Sequence, residues 1–314
     1  MIYIGTEDGI YRWNPGSPWP VFHALQGRGI VALAAMGGGA LVAADDRGGI
    51  WETARNGLEW RAAPLAAWNK PVGPLAMGGL PAEVVVATAG SGLYRRAFGA
   101  TDGWLPVPMP TAATSGPAPR IRALATGSSW FAAVAGEGLW RSDDAGRSWV
   151  RCQGLPTEVY ALRVVPGPGG LVLAGTSEAA WISRDGGNAW EAIGKGLEKV
   201  PHVAAIEVHP TDPRSLLAGV APVAPDAGPA APKNGLGFAL YESTDGGKSW
   251  AIVKRGFADD LGHDAIIAIR FDPADPEYAL VALGSGELRN TRNGGAWWEP
   301  LARQIRGARV LAAV

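Results

Sequence analysis

The chain has 314 residues, enough for one large all-β domain or two small ones. A net charge of −1 gives no global pull toward nucleic acid or an acidic membrane surface, and no apolar run reaches the length of a membrane span. The single cysteine, Cys152, excludes an internal disulfide and reads as a packing residue, while 45 Gly and 25 Pro point to many turns.

The opening run Met1-Ile2-Tyr3-Ile4-Gly5-Thr6 reads as a strand of the fold, not as a signal peptide, which predicts a cytoplasmic protein without membrane insertion. Next comes Gly9-Ile10-Tyr11-Arg12, a unit that returns along the whole chain. Its further copies are Gly49-Ile50-Trp51-Glu52, Gly92-Leu93-Tyr94-Arg95, Gly138-Leu139-Trp140-Arg141, Ala180-Trp181-Ile182-Ser183, Ala239-Leu240-Tyr241-Glu242 and Glu287-Leu288-Arg289-Asn290. Before each lies a short apolar run, such as Val84-Val85-Val86 or Leu171-Val172-Leu173. Further copies place another run ahead of that, such as Ile30-Val31-Ala32-Leu33 or Ile266-Ile267-Ala268-Ile269. Runs apolar on both faces suit strands buried between layers.

Three copies run directly into a turn of the form Ser-x-Asp-x-Gly-x-x-Trp. They are Ser142, Asp144, Gly146, Trp149; Ser183, Asp185, Gly187, Trp190; and Ser243, Asp245, Gly247, Trp250. The hydroxyl and carboxylate accept hydrogen bonds from amides just downstream, the glycine supplies a positive φ, and the Trp offers a broad apolar face. In the worn copy Thr291, Asn293, Gly295, Trp298, Asn keeps an acceptor. In Thr53, Arg55, Gly57, Trp60 the acceptor is lost, which predicts a turn resting on Gly57 and Trp60 alone.

Trp60, Trp104, Trp149, Trp190, Trp250 and Trp298 recur at roughly 40 to 50 residues, the period of a propeller blade. The wider gap between Trp190 and Trp250 holds a Pro/Ala-rich loop insertion at 220–237. A second Pro-rich run covers 106–119. Both read as exposed linkers, with a lid or docking arm as the alternative. The prediction is a single all-β domain over 1–314, a seven-bladed β-propeller with four-stranded antiparallel blades. The first unit lacks an innermost strand, and Ala308-Arg309-Val310-Leu311-Ala312-Ala313-Val314 resembles an orphan one. Pairing the two would close the ring and remove both sheet edges.

The Ser-x-Asp-x-Gly-x-x-Trp repeat resembles the Asp-box, or BNR repeat, of sialidases, sortilin-type receptor domains, xyloglucan-active glucanases and the photosystem II stability/assembly factor. The resemblance extends over essentially the whole chain. It implies that the boxes lie between the third and fourth strands of a blade, on the face away from the ligand, and that the box residues are structural. It also separates this chain from two of those enzymes. The Phe/Tyr-Arg-Ile-Pro segment of sialidases is absent, and the xyloglucan-active enzymes work between two tandem propellers, whereas this length allows one.

On the opposite face, the approaches to the innermost strands carry Arg28, Lys70, Arg120, Arg122, Glu158, His202, His263, Asp264 and Arg309. Convergent arginines suit a carboxylate, phosphate or acidic peptide. The loops between second and third strands are acidic (Glu7, Asp8, Asp45, Asp46, Glu137, Glu178, Glu287), so a salt-bridged rim is the alternative to an anion site. His202 and His263 with Asp264 or Glu158 lack matched metal-ligand spacing, and no metal or cofactor is expected. No nucleophile elbow, P-loop or dinucleotide fingerprint is present. The functional expectation is a non-catalytic binding or assembly module that docks a protein segment or anionic ligand at the channel mouth, with no nucleic acid as partner. Its contacts would be Arg28, Lys70, Arg120, Arg122, His202, His263 and Arg309. The alternative is a glycoside hydrolase or lyase acting on a carboxylated sugar through Glu158, Tyr160 and Asp264. Oligomeric state stays open.

Overall fold

Short apolar runs separated by glycine-bearing turns pair with their sequence neighbours as antiparallel meanders. In the computed structural model they form seven sheets of four strands each. The structure describes residues 1–63, 72–78, 82–88, 92–101, 103–109, 120–167, 169–197, 202–221, 238–257, 264–301, 305 and 307–314, and no helix occurs among them. Most of the loop insertion at 220–237, and 110–119 of the other Pro-rich run, lie outside the described residues.

The innermost strands are Val310–Ala313 in blade 1, Ile30–Met36 in blade 2, Val72–Gly78 in blade 3, Ile121–Thr126 in blade 4, Val159–Val164 in blade 5, His202–Val208 in blade 6 and Ile266–Phe271 in blade 7. Each packs against the innermost strand of the next blade, and the seventh packs against the first, so the sheets form a closed ring around a channel. The seven-bladed propeller read from the sequence is therefore present, and so is its closure. Val310–Ala313 pairs antiparallel with Ile2–Thr6, with Ile2 opposite Ala313 and Gly5 opposite Val310. This removes what would have been two exposed edges at the channel.

Second strands are the most deeply buried. Trp130–Val134, Val172–Thr176 and Ala279–Leu283 are buried at every position. Side chains pack between adjacent blades; Leu240 of blade 6, for example, clusters with Ile269, Val281 and Trp298 of blade 7. Fourth strands are short and exposed, mostly two residues, as in Arg61–Ala62 and Glu191–Ala192.

The repeated turn joins third to fourth strands, as expected. Ser142 Oγ accepts from the Gly146 amide (2.7 Å) and donates to Asp144 Oδ1 (2.8 Å), which in turn accepts from the Ser148 amide (2.8 Å). The same bonds recur at Ser183/Asp185 and Ser243/Asp245, and Asn293 reproduces them by accepting from Thr291 Oγ1 and the Trp297 amide, each at 2.9 Å. The Trp wedges between blades: Trp250 donates its indole N–H to the Ile193 carbonyl of the preceding blade. The Arg55 copy departs from its expectation. Its turn is held by more than Gly57 and Trp60, because the Asn56 amide donates to the Gly39 carbonyl (2.9 Å) and Tyr3 Oη donates to the Asn56 carbonyl (2.9 Å).

Candidate functional site

Alternation of strand direction puts two kinds of loop at one end of the channel: those arriving at innermost strands and those joining second to third strands. The repeated Ser-x-Asp turns lie at the other end. At the first end, here the mouth, six innermost strands share one irregularity. Their pairing slips between Ile30 and Ala32, Val72 and Leu75, Ile121 and Ala123, Val159 and Ala161, Val203 and Ala205, and Ile266 and Ala268. A bulge leaves a residue unpaired and re-aims its side chain. The bulged residues are Val31, Arg122, Tyr160, Ala204 and Ile267, with Gly73 and Pro74 in blade 3. The ring is therefore apolar except where blades 4 and 5 contribute Arg122 and Tyr160.

These two residues join with two more predicted ones. Arg122 forms an ion pair with Glu158, and its guanidinium lies 5.1 Å from the centroid of the Tyr160 ring. Tyr160 meets His202 edge to face at 5.6 Å. Blades 4, 5 and 6 thus supply a ladder of cation, aromatic ring and imidazole, flanked by one carboxylate. Arg122, Glu158, Tyr160 and His202 are all partly exposed. Arg120 is exposed beside them, its carbonyl accepting from the Ala135 amide (2.9 Å).

A second group sits on blades 1 and 2. Arg28 pairs with Asp45 at 2.6 Å and lies 4.2 Å from the Trp51 ring centroid. Asp45 is fully buried and accepts from the Gly49 amide (2.7 Å), the Arg47 amide (3.0 Å) and Trp51 Nε1 (3.0 Å). Burial alone would push its carboxyl up, but the bonds from Trp51, Gly49, Arg28 and Arg47 outweigh it and hold the group below its ordinary value. Arg309 approaches Asp46 at 3.9 Å, with both side chains well exposed. The basic and acidic sets therefore pair in several places, including Arg289 with Glu287 at 2.8 Å.

Asp264 is not part of the Glu158 group. Its carboxylate caps the neighbouring loop, accepting from the Ser285 amide (2.8 Å) and Ser285 Oγ (2.6 Å), and it shares no hydrogen bond or ion pair with Glu158. Lys70 and His263 lie outside the described residues. Among the described residues, no group of three or more His, Cys, Asp or Glu is placed to hold a metal ion, and no helix is long and apolar enough to cross a membrane. Sequence reasoning missed Trp51 as the platform under Arg28. Every third strand has a large residue near that position, so nothing in the pattern marks this one.

No protein-family model matches the chain, and no curated protein matches it. Solved structures do. The GH74 xyloglucanase from Xanthomonas campestris matches with a TM-score of 0.73 at 20% identity, over 96% of this chain and 52% of that one. The shared property is the propeller fold. This chain spans about half the length of that enzyme (52%). YCF48 from Cyanidioschyzon merolae matches at 0.62 and 12% identity, over 90% of this chain and 88% of that one. A structure of YCF48 bound to a D1 peptide matches at 0.59 and 16% identity, over 87% and 82% of the two chains. One neighbour is a glycoside hydrolase and another was captured with a peptide, so the fold is compatible with both readings of this chain.

Proposed function

We propose that the chain is a binding module that docks an acidic protein segment, or a comparable anionic ligand, over the channel mouth. The observation that carries this reading is the ladder of Arg122, Tyr160 and His202 across three blades. Arg122 and Tyr160 stand on bulges that turn side chains away from the regular strand pattern, and they are the two polar members of an otherwise apolar ring. A guanidinium braced on an aromatic ring is a chemistry suited to a carboxylate ligand. Arg28 on Trp51, with Arg120 and Arg309, would extend the same surface. The peptide seen with YCF48 supports the reading by analogy of fold only. We also read the Ser-x-Asp turns as Asp-boxes with a purely structural role.

The hydrolase reading rests on the fold shared with the xyloglucanase and on Glu158 beside Tyr160. It is the weaker one for a physical reason. Glycoside hydrolysis needs a facing carboxyl pair, one member raised in pKa to act as an acid. Here Glu158 is paired with Arg122, Asp264 is committed to Ser285, and the buried Asp45 is held low.

The test is capture from a native lysate with the wild type beside an Arg120→Ala, Arg122→Ala double variant. A stoichiometric acidic partner, lost in the variant, is the expected result. Capture that survives the double change would overturn the basic-mouth reading. Turnover of carboxylated glycosides, abolished by Glu158→Gln, would favour the hydrolase.

A further inference from the structure

Past the bulge, the innermost strands place one residue from each blade at the same level, toward the end of the channel opposite the mouth. Pairing with the second strands fixes the equivalence. Ala312 faces Tyr3, Ala34 faces Val42, Ala76 faces Val85 and Ala125 faces Phe131, while Arg163 faces Leu173, Glu207 faces Leu217 and Arg270 faces Leu280. Four adjacent blades hold alanine at this level. The other three hold Arg, Glu and Arg. The fold itself does not require charge here, since an alanine meets the packing need in blades 1 to 4.

Glu207 lies between its neighbours. Its Oε1 forms an ion pair with Arg163 Nε at 2.7 Å and accepts from the Val208 amide at 3.0 Å, while its Oε2 accepts from Arg270 Nη1 at 3.0 Å. The Glu207 side chain is 1% exposed, whereas those of Arg163 and Arg270 are 39% and 30% exposed. Both arginine side chains are therefore partly exposed while the carboxylate between them is buried. Two cations meet one anion, which leaves an excess of one positive charge at this level. Burial pushes the Arg270 guanidinium below its ordinary pKa, Glu207 opposes that, and Arg163 adds to it by like-charge repulsion. Among the described residues, neither Nη of Arg163, nor Nη2 or Nε of Arg270, has an acceptor. Asp272, two residues beyond Arg270, is already committed to the Met1 amino group (2.6 Å) and the Ala274 amide (2.9 Å). A buried ionic cluster of this kind is no more stabilising than apolar packing of similar volume, so stability alone does not account for it.

We infer that Arg163 and Arg270, backed by Glu207, form a binding site for a small oxyanion inside the channel, separate from the mouth. Arg163 lies three residue steps beyond Tyr160 on an extended strand, about 10 Å along the channel. The ligand class is a carboxylate, phosphate or sulfate group, whose paired oxygens suit two guanidinia. The alanine side chains at this level in blades 1 to 4 offer such a group no hydrogen bond. Glu207 sets the orientation of both arginines and reduces the net attraction, so this site is tuned for release as well as capture.

The experiment is thermal unfolding and calorimetric titration of the full chain with inorganic phosphate and with sulfate, against sodium chloride at equal ionic strength. The expected result is saturable binding with a raised Tm beyond the chloride control. Arg270→Gln and, independently, Arg163→Gln should abolish it. Glu207→Gln should tighten it about five-fold or more, because the opposing charge is gone while the donors stay. Oxyanion binding lost in Arg122→Ala but kept in both channel variants would assign the anion to the mouth and overturn this inference, so the two readings fail separately. Absence of oxyanion-specific binding in the wild type would overturn the inference, as would wild-type binding in either arginine variant or weaker binding in a folded Glu207→Gln protein.

Discussion

Arg122 of blade 4 is ion-paired across the blade boundary with Glu158 of blade 5, and both side chains remain partly exposed at 15% and 32%. The pair is thus a screened contact whose loss costs little stability, about 1 kcal/mol or less. Its consequence for binding is larger. Glu158 competes with any incoming carboxylate for the Arg122 donors. Glu158→Gln should therefore tighten binding of a fluorescent oligoglutamate probe by about three- to ten-fold, with Tm nearly unchanged. A hydrolase that used Glu158 would instead lose its turnover. Fluorescence anisotropy at fixed salt reads the first outcome, and weaker binding in the variant would count against a competing role for Glu158.

Gly247 of blade 6 illustrates how the repeat and the blade interface depend on one residue. Its φ of +87° suits glycine, and a Cβ there would come within 2.6 Å of Ile193 Cδ1 in blade 5. Gly247→Ala should cost about 2–5 kcal/mol, combining left-handed strain with overpacking. Gly136 separates the two causes. Its φ is +75°, with nothing within 4 Å of the added Cβ, so Gly136→Ala should cost only about 1–2 kcal/mol. Urea titrations of the two variants give the comparison, and equal costs would show that the blade interface yields to the extra methyl.

The blades were legible because their third strands share a local pattern, and the closure because one unit lacked a strand that the tail supplied. Both are facts of order along the chain. The mouth ladder was legible in part. Arg122, Glu158, Tyr160 and His202 each stand out in the sequence singly, and the packing of blades 4, 5 and 6 against one another brings them together. The bulges were not visible, since Val31, Tyr160 and Ile267 share no chemistry that marks an extra residue. The Arg163, Glu207, Arg270 level was not visible either. It exists only once three strands, distant in sequence, are set in register, and each charge alone reads as an exposed strand residue. Arg55 shows the reverse error: the missing carboxylate was visible, but the replacement bonds from Tyr3 and Gly39 come from elsewhere in the fold.

Acid should loosen the repeated turns in a defined range. Asp144 is lowered from 3.8 to about 2, first by the hydroxyl and amide of Ser148 and then by Ser142, and Asp245 is lowered to about 2 by Ser249 in the same way. The folded value lies below the unfolded one, so the ionised carboxylate favours folding. That contribution is complete above the unfolded value and disappears as pH falls from near 4 to about 2. Asn293 performs the same acceptor role without a charge, so the corresponding turn of blade 7 carries no such titration. The urea midpoint should fall more shallowly below pH 4 in an Asp144→Asn, Asp245→Asn variant than in the wild type. Parallel curves would assign the acid sensitivity to other carboxylates.

Cys152 provides a reporter for opening between blades 4 and 5. Its thiol is 9% exposed among Phe131, Val159 and Ala174, and burial pushes it up from 9.0 to about 11, against a hydrogen bond from Trp190. Thiolate is the reactive form, so at pH 8 the pKa rise alone lowers its fraction by about 100-fold. Limited access suppresses reaction further. An aromatic disulfide reagent should therefore label the folded chain only through opening, at a rate that rises with urea in step with unfolding. Gly187→Ala adds a test of location, because its Cβ would press within 2.6 Å of Phe131 Cε1 at this same boundary. That variant should speed labelling of Cys152 in the absence of denaturant, while Gly247→Ala, one interface further on, should do so less. Equal acceleration by both would mean that the ring opens as a whole and that single blade interfaces do not open independently.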